Sequence, residues 1–97
     1  MNVSYILHGV AFEWDDEKAR INAEKHGVRF EEAAEVFFDN FGRTIDASVG
    51  DEIRAGLVGF SFSQRMLLVV HVERTAATRI ISARTATRAE RKLYERL

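Results

Sequence analysis

Apolar residues recur at helical spacing in the first half of the chain. Those in residues 30–38 fall at i, i+3, i+4, i+7 and i+8, which predicts one amphipathic helix. They are Phe30, Ala33, Ala34, Phe37 and Phe38. An earlier helix is predicted to begin after an N-cap at Asp15 or Asp16. It ends at about His26, because Gly27 follows where a left-handed cap is favoured.

The second half is predicted to form strands, since its apolar runs are short and lack a helical period. The strands lie at residues 43–48, 53–62, 66–72 and 78–83, and residues 11–14 form a further short extended segment. The run MLLVVHV at 66–72 is typical of a central strand covered on both faces. A capping box from Thr87 to Glu90 opens a last helix. Its packing face is predicted at Ala89, Leu93 and Leu97.

Helices and strands are segregated along the chain, in the order β-α-α-β-β-β-β-α. This order favours a compact α+β fold over alternating βαβ units. We expect an antiparallel sheet of four to five strands, packed with two N-terminal helices and a C-terminal helix. The chain is a single domain over residues 1–97, in which residues 1–11 form an extra strand or a tail.

Composition excludes several classes of protein. The chain is 46% hydrophobic and 30% charged, which is typical of a folded globular domain. It has no cysteine, so disulfide scaffolds, thiol nucleophiles and Cys-ligated zinc sites are excluded. No apolar run is long enough to span a membrane, and the first ten residues carry no positively charged segment of a secretory signal. We therefore expect a location in the reducing cytoplasm and no membrane partner.

Charge is distributed unevenly between the two halves. Residues 1–53 hold five Lys/Arg and twelve Asp/Glu, whereas residues 54–97 hold nine and three. Eleven of the fourteen cations are arginine, whose planar fork binds phosphate or carboxylate through two hydrogen bonds. The basic half either binds a polyanionic partner or is neutralised by the acidic half across the fold.

Arg79 and Arg84 are the strongest candidates for phosphate binding. They flank an apolar tetrapeptide on a strand that we expect to be largely covered, where a charged side chain needs a partner. That partner is Glu73 of the neighbouring strand or a bound phosphate. A separation of five residues places the two arginines on opposite faces of a regular strand. They share a site only if a bulge intervenes or if Arg84 lies beyond the strand end.

Two further groups of polar residues could carry chemistry. His71 and Glu73 share one face of their strand and could exchange protons near neutral pH. The alternative is a core histidine that bonds a backbone carbonyl. Lys18, Asn22 and His26 recur at i, i+4 and i+8, so they form a polar stripe that faces a ligand, the sheet or solvent. The three histidines lack metal-ligand spacing, so neither a metal nor another cofactor is expected.

Three segments resemble the BrnT family of toxins from bacterial type II toxin–antitoxin modules. The matching text is FEWDDEKARINAEKHGVRFEEAAEVFFD at residues 12–39, LLVVHVER at 67–74 and RIISARTATRAERKLYE at 79–95. The resemblance implies a RelE-like fold and a metal-independent endoribonuclease that inhibits translation. It also implies a BrnA-type antitoxin, a ribbon-helix-helix dimer, in a heterotetramer that binds operator DNA only through the antitoxin.

Motif positions of the family suggest the site residues. We predict catalytic roles for His71, Glu73, Arg79 and Arg84, and RNA-binding roles for Lys18, His26, Arg74, Ser82 and Tyr94. The first two would transfer protons, and the two catalytic arginines would bind the phosphate. The alternative function is a non-catalytic module that docks an antitoxin and assists repression of operator DNA.

Overall fold

The computed structural model describes residues 1–96, and the helices and strands in this part of the chain confirm the predicted α+β fold class. The strands are β1 (Asn2–Leu7), β2 (Val10–Asp15), β3 (Arg43–Asp46), β4 (Ala55–Phe60), β5 (Met66–Glu73) and β6 (Thr78–Thr85). The helices are α1 (Asp16–His26), α2 (Phe30–Glu35) and α3 (Arg88–Glu95), and a 3-10 turn, Val36–Phe38, extends α2.

The six strands form one mixed sheet in the order β1-β2-β6-β5-β4-β3. Four neighbouring pairs are antiparallel, whereas β2 and β6 are parallel over only two residue pairs. The prediction of a RelE-like antiparallel sheet with four to five strands is thus wrong in strand number and in strand direction. After β2 the two helices lead the chain to β3 at the far edge of the sheet. The following strands return across the sheet, so that the last strand, β6, pairs with β2. Residues 2–7 are a strand and not a tail.

The two N-terminal helices begin where the sequence predicts. Asp15 caps α1 by accepting a hydrogen bond from the Lys18 backbone N–H, and Gly27 ends the helix with φ 68°. The predicted second helix tightens into a 3-10 turn after Glu35. A 3-10 turn has three residues, so Val36 follows Ala33 into the core while Phe37 and Phe38 are only half-buried.

The core lies on both faces of β5, as predicted for a central strand. Leu67 and Val69 pack beneath α1 and α2 with Phe12 and Phe30, on what we call the helix face. Met66 and Leu68 belong to a second cluster on the opposite side, which α3 partly covers. We call this side the α3 face. The sheet therefore separates two environments, and the face on which a residue lies decides its neighbours.

The packing face of α3 differs from the prediction. Its capping box is present, with Thr87 and Glu90 exchanging hydrogen bonds. However, Glu90 and Tyr94 point towards the sheet, whereas Ala89 is exposed and Leu93 is 38% exposed. The third predicted contact, Leu97, lies outside the described residues. Polar anchors in place of an apolar stripe hold this short helix, and they explain why its apolar spacing was misleading.

Candidate functional site

A β-bulge in β6 brings the predicted phosphate-binding residues onto one face. Val70 pairs with Ser82 and His71 with Ile80, so Ile81 is an extra residue in β6. Beyond the bulge, Arg79 lies opposite Val72, and Arg84 lies opposite Leu68. Residues directly opposite one another share a face of the sheet. Arg79, Ser82 and Arg84 therefore all lie on the α3 face, which is the arrangement that required a bulge.

The guanidinium of Arg79 is held by the N-terminal hairpin. Its Nη1 donates to Glu13 Oε2 and to Asn2 Oδ1, each at 2.7 Å. Glu13 pairs with Arg79 where β2 meets β6. Within residues 1–96, Nε and Nη2 of Arg79 make no hydrogen bond, so one edge of the fork is available to an anion. Of the two partners considered for the arginines, a bound phosphate and Glu73, the second is replaced at Arg79 by Glu13.

Arg84 makes a bidentate ion pair with Glu90 of α3. Its Nη1 and Nη2 donate to the two carboxylate oxygens at 2.9 and 3.0 Å, and Nη1 also reaches the carbonyl of Thr85 at 3.2 Å. The hydrogen bond from Arg84 lowers the pKa of Glu90, and the Thr87 N–H adds to this effect. Arg79 and Arg84 stand four residue pairs apart along β5, roughly 13 Å at strand spacing. The structure therefore puts them on one face but does not bring them to a single phosphate.

A cavity of about 210 Å³ lies between α1 and β6. It is lined by Lys18, Ile21, Asn22, Lys25, His26, Ile81 and Ser82, and we call it the α1–β6 cavity. Three residues of the predicted RNA-binding set, Lys18, His26 and Ser82, are thus brought together. The pairing of β2 with β6 ends before this point, so α1 covers the edge of β6 instead.

Asn22 fixes the position of α1 against that edge. Its side chain is buried, donates to the carbonyls of Val28 and Ala83 at 2.9 and 2.8 Å, and accepts from the Ala83 N–H at 3.0 Å. The polar stripe is predicted to face a ligand, the sheet or solvent, and its central residue, Asn22, faces the sheet. Lys18 and His26 flank it at the cavity, one turn to either side.

The α1–β6 cavity is cationic, since none of its lining residues is acidic. The ion pairs of residues 1–96 include neither Lys18 nor Lys25. The pKa of Glu52 is lowered chiefly by its hydrogen bond from Arg54, but the charges of Lys18 and Arg74 contribute. Arg74 is exposed in the turn after β5, and it is not one of the residues that line the α1–β6 cavity.

His71 and Glu73 lie on the other side of the sheet. The His71 side chain is 8% exposed, meets the ring of Phe37 edge-on at 4.8 Å, and has Nδ1 3.3 Å from the Val69 carbonyl. Glu73 is 70% exposed and lies 3.8 Å from His71 Nε2. A buried imidazole beside a backbone carbonyl is the arrangement expected for a core histidine, the alternative to a proton-transfer role. Because β5 runs regularly, the sheet separates this pair from Arg79, and a single centre containing both is not formed.

Tyr94 is isolated from both groups. Its hydroxyl donates to Asp39 Oδ2 at 2.7 Å, and its ring meets Phe60 of β4 at 5.3 Å. Burial and the Asp39 carboxylate raise the pKa of Tyr94 to about 12. Cavities of about 600 and 390 Å³ lie beside it. Since β5 separates β4 from β6, Tyr94 does not reach the α1–β6 cavity.

Sequence reasoning missed the acidic partners of the arginines. Glu13 has no distinguishing spacing, and the spacing of Glu90 indicates only its part in the capping box. The pairing of β2 with β6 and the docking of α3 reveal the two carboxylates as partners of Arg79 and Arg84. Glu13–Arg79 and Glu32–Arg65 each join the acidic half to the basic half, so part of the charge asymmetry is neutralised across the fold.

Residues 14–90 match the sequence model of a family described as the ribonuclease toxin BrnT of type II toxin–antitoxin systems. The chain belongs to this BrnT toxin family. The fold is similar to that in the 1.1 Å crystal structure of the Brucella abortus ribonuclease toxin BrnT, with a TM-score of 0.60 and 22% identity. The match covers 77% of this chain and 94% of that chain. No curated protein matches the chain.

Membership of the BrnT family makes the chain a toxin of a type II system, with ribonuclease activity at family level and an antitoxin as partner. Residues 1–13, which include β1 and both partners of Arg79, precede the matched segment. Within residues 1–96, no helix is long and apolar enough to cross a bilayer. No group of three potential metal-ligating side chains occurs in that part of the chain.

Proposed function

We propose that this protein is a metal-independent endoribonuclease that inhibits translation and is neutralised by a BrnA-type antitoxin. The observation that carries the proposal is the bulge at Ile81, which aligns Arg79, Ser82 and Arg84 beside the cationic α1–β6 cavity. Side chains aligned in this way suit a single RNA strand, because cations bind its phosphates and hydrogen-bonding groups bind its riboses.

The proposed reaction is transesterification within the RNA. The 2′-oxygen forms a bond to phosphorus, the bond from phosphorus to the 5′-oxygen breaks, and the products end in a 2′,3′-cyclic phosphate and a 5′-hydroxyl. The free edge of Arg79 stabilises charge on the phosphate. His26 takes the proton from the 2′-hydroxyl while water protonates the leaving 5′-oxygen, or it protonates the 5′-oxygen while water takes the 2′-proton. His26 is assigned this part because it is the histidine that lines the α1–β6 cavity.

The remaining predicted residues take other parts in this proposal. Lys18 and Ser82 bind RNA at the α1–β6 cavity. Arg74 and Tyr94 contact parts of the RNA that lie further from this cavity. Arg84 contributes positive charge but chiefly positions α3 through Glu90. His71 and Glu73 are assigned to the structure of the β5 end, because they face away from Arg79.

Cleavage of RNA by the purified chain in excess chelator tests the proposal. We expect products with 2′,3′-cyclic phosphate ends, and a loss in kcat/KM of about 10²-fold or more for Arg79→Ala, as for removal of a charge-stabilising donor. Arg29→Ala is the matched control, because Arg29 is exposed and its ion pair with Glu31 is long at 3.6 Å. Absence of cleavage by the wild-type chain, or full activity of Arg79→Ala, would contradict the proposal.

The ion pairs of Arg79 and Arg84 favour a second candidate, the non-catalytic module that docks an antitoxin and assists operator repression. Growth after induction separates the two functions. An enzyme arrests growth, and Arg79→Ala relieves the arrest. A module leaves growth unchanged but still binds a ribbon-helix-helix antitoxin encoded by the adjacent gene, with the heterotetramer measurable by light scattering.

A further inference from the structure

The α1–β6 cavity combines positive charge with exposed apolar surface. Lys18 and Lys25 stand at its rim, and its wall includes Ile21, which is 48% exposed, and the half-buried Ile81. Ile81 is the extra residue of the bulge, so the irregularity that aligns Arg79 with Ser82 also turns an apolar side chain towards α1. A ligand that fits this wall and rim carries an anionic group next to a flat apolar group.

Favourable interaction with the dipole of α1 explains some, but not all, of the positively charged residues at the cavity. Lys25 and His26 lie in the last turn of α1, where cations are favoured by the helix dipole. Lys18 is the third residue of the same helix, where a cation is disfavoured. Arg20, on the opposite side of α1, is occupied by Glu17 and Glu24. The two lysines thus differ from Arg20, because no carboxylate of residues 1–96 lies within ion-pair distance of them.

We infer that the α1–β6 cavity binds one nucleotide of a single RNA strand and that Lys25 is a binding residue. The phosphate lies between Lys18 and Lys25, the ribose meets Ser82, and the base packs on Ile21 and Ile81. This inference rests on the proposed function and adds a nucleotide subsite next to Arg79. Ser82 and Arg79 are two residue pairs apart on β6, about 7 Å at strand spacing.

Binding of a short 2′-O-methyl RNA to the full chain tests the subsite without cleavage, because the attacking hydroxyl is blocked. Affinity is measured by fluorescence anisotropy between about 50 and 200 mM salt. We expect Lys25→Gln to lower the slope of log affinity against log salt by about 0.7, as for one phosphate contact on a single strand. The loss in affinity at low salt is at most about fivefold, as for one exposed ion pair. Arg20→Gln, with the same charge change on the same helix, should keep the wild-type slope.

Methyl NMR spectra of the isoleucines give a second readout. The signals of Ile21 and Ile81 should move on addition of the same oligonucleotide, whereas that of the exposed Ile53 should not. An unchanged slope for Lys25→Gln, or unmoved Ile21 and Ile81 signals, overturns the subsite. If the wild-type chain cleaves RNA in that case, the proposed function stands and only the subsite is wrong. A wild-type chain that neither binds nor cleaves RNA overturns both.

Discussion

Asn22 shows how one buried side chain positions the candidate site. Its three hydrogen bonds satisfy both backbone groups of Ala83 and the carbonyl of Val28. Without them the edge of β6 would have unpaired groups beneath α1, and the α1–β6 cavity would lose one wall. The sequence predicts the stripe that contains Asn22, but the burial of this residue depends on the early end of the β2–β6 pairing.

Replacement of Asn22 by Ala is expected to destabilise the fold by about 2–4 kcal/mol, because buried polar groups then lack partners. Urea unfolding measures this change. Asn22→Asp keeps the acceptor for Ala83 N–H but loses both donated bonds, so it should also destabilise the fold. A loss below about 0.5 kcal/mol for Asn22→Ala, the range of ordinary surface substitutions, would show that α1 does not depend on these bonds.

Glu32 predicts a specific dependence of stability on pH. Hydrogen bonds from Arg65, Ser61 and Ser63 lower its pKa from 4.5 to about 2, although partial burial opposes the shift. A lowered carboxyl pKa stabilises the fold above the unfolded-state pKa and loses that contribution as pH falls through the folded-state pKa. The contribution is about 1–2 kcal/mol at pH 7, after allowance for the exposure of Arg65.

Urea unfolding of the wild type and Glu32→Gln at a series of pH values tests this. The difference in unfolding free energy should be largest at pH 7 and should shrink between about pH 4.5 and pH 2. Glu24→Gln, in an exposed pair with Arg20, is the control and should show a smaller difference. A pH-independent difference for Glu32→Gln would contradict the assigned pKa.

At the scale of elements, β6 and α3 are coupled through Arg84 and Glu90. The bidentate pair joins the strand to the N-terminal turn of the helix, and Glu90 also closes the capping box. Mutation of Arg84 therefore alters the docking of α3 as well as the charge of the α3 face. A loss of activity in Arg84→Ala is by itself no evidence of phosphate binding.

A double-mutant cycle on Arg84→Ala and Glu90→Ala measures this coupling. We expect an interaction free energy of about 1 kcal/mol, because the geometry is bidentate but Arg84 is partly exposed. The same cycle on Arg29 and Glu31, which approach only to 3.6 Å, should give a value near zero. Additive effects at Arg84 and Glu90 would mean that the pair does not anchor α3.

Elements with local signals could be predicted from the sequence, and those that depend on distant contacts could not. The Asp15 cap and Gly27 bound α1 correctly, and the unbroken apolar run of β5 indicates its central position. The bulge has no comparable signal, since Ile81 is an ordinary strand residue. Its presence follows from the pairing of β6 with β5 on one side and with β2 and α1 on the other. For that reason the sequence alone left open whether Arg79 and Arg84 share a face.

At the scale of the whole molecule, the sheet divides the predicted site into separate groups. Arg79 and Ser82 lie on the α3 face, and the cationic cavity lies at the edge of β6, between Ser82 and the residues of α1. The helix face carries His71, packed against Phe37. Family resemblance identifies polar positions but does not say which face each occupies. The central claim is therefore that proton transfer takes place at the α1–β6 cavity and not at the end of β5.

The most direct test is a comparison of single-turnover RNA cleavage by His26→Gln and His71→Gln, each confirmed as folded by circular dichroism. We predict that His26→Gln lowers the rate by about 10²–10⁴-fold, the range for loss of a general acid–base group. His71→Gln should lower stability yet keep the cleavage rate of the folded protein near that of the wild type. A large loss of rate in His71→Gln with an active His26→Gln would contradict the account.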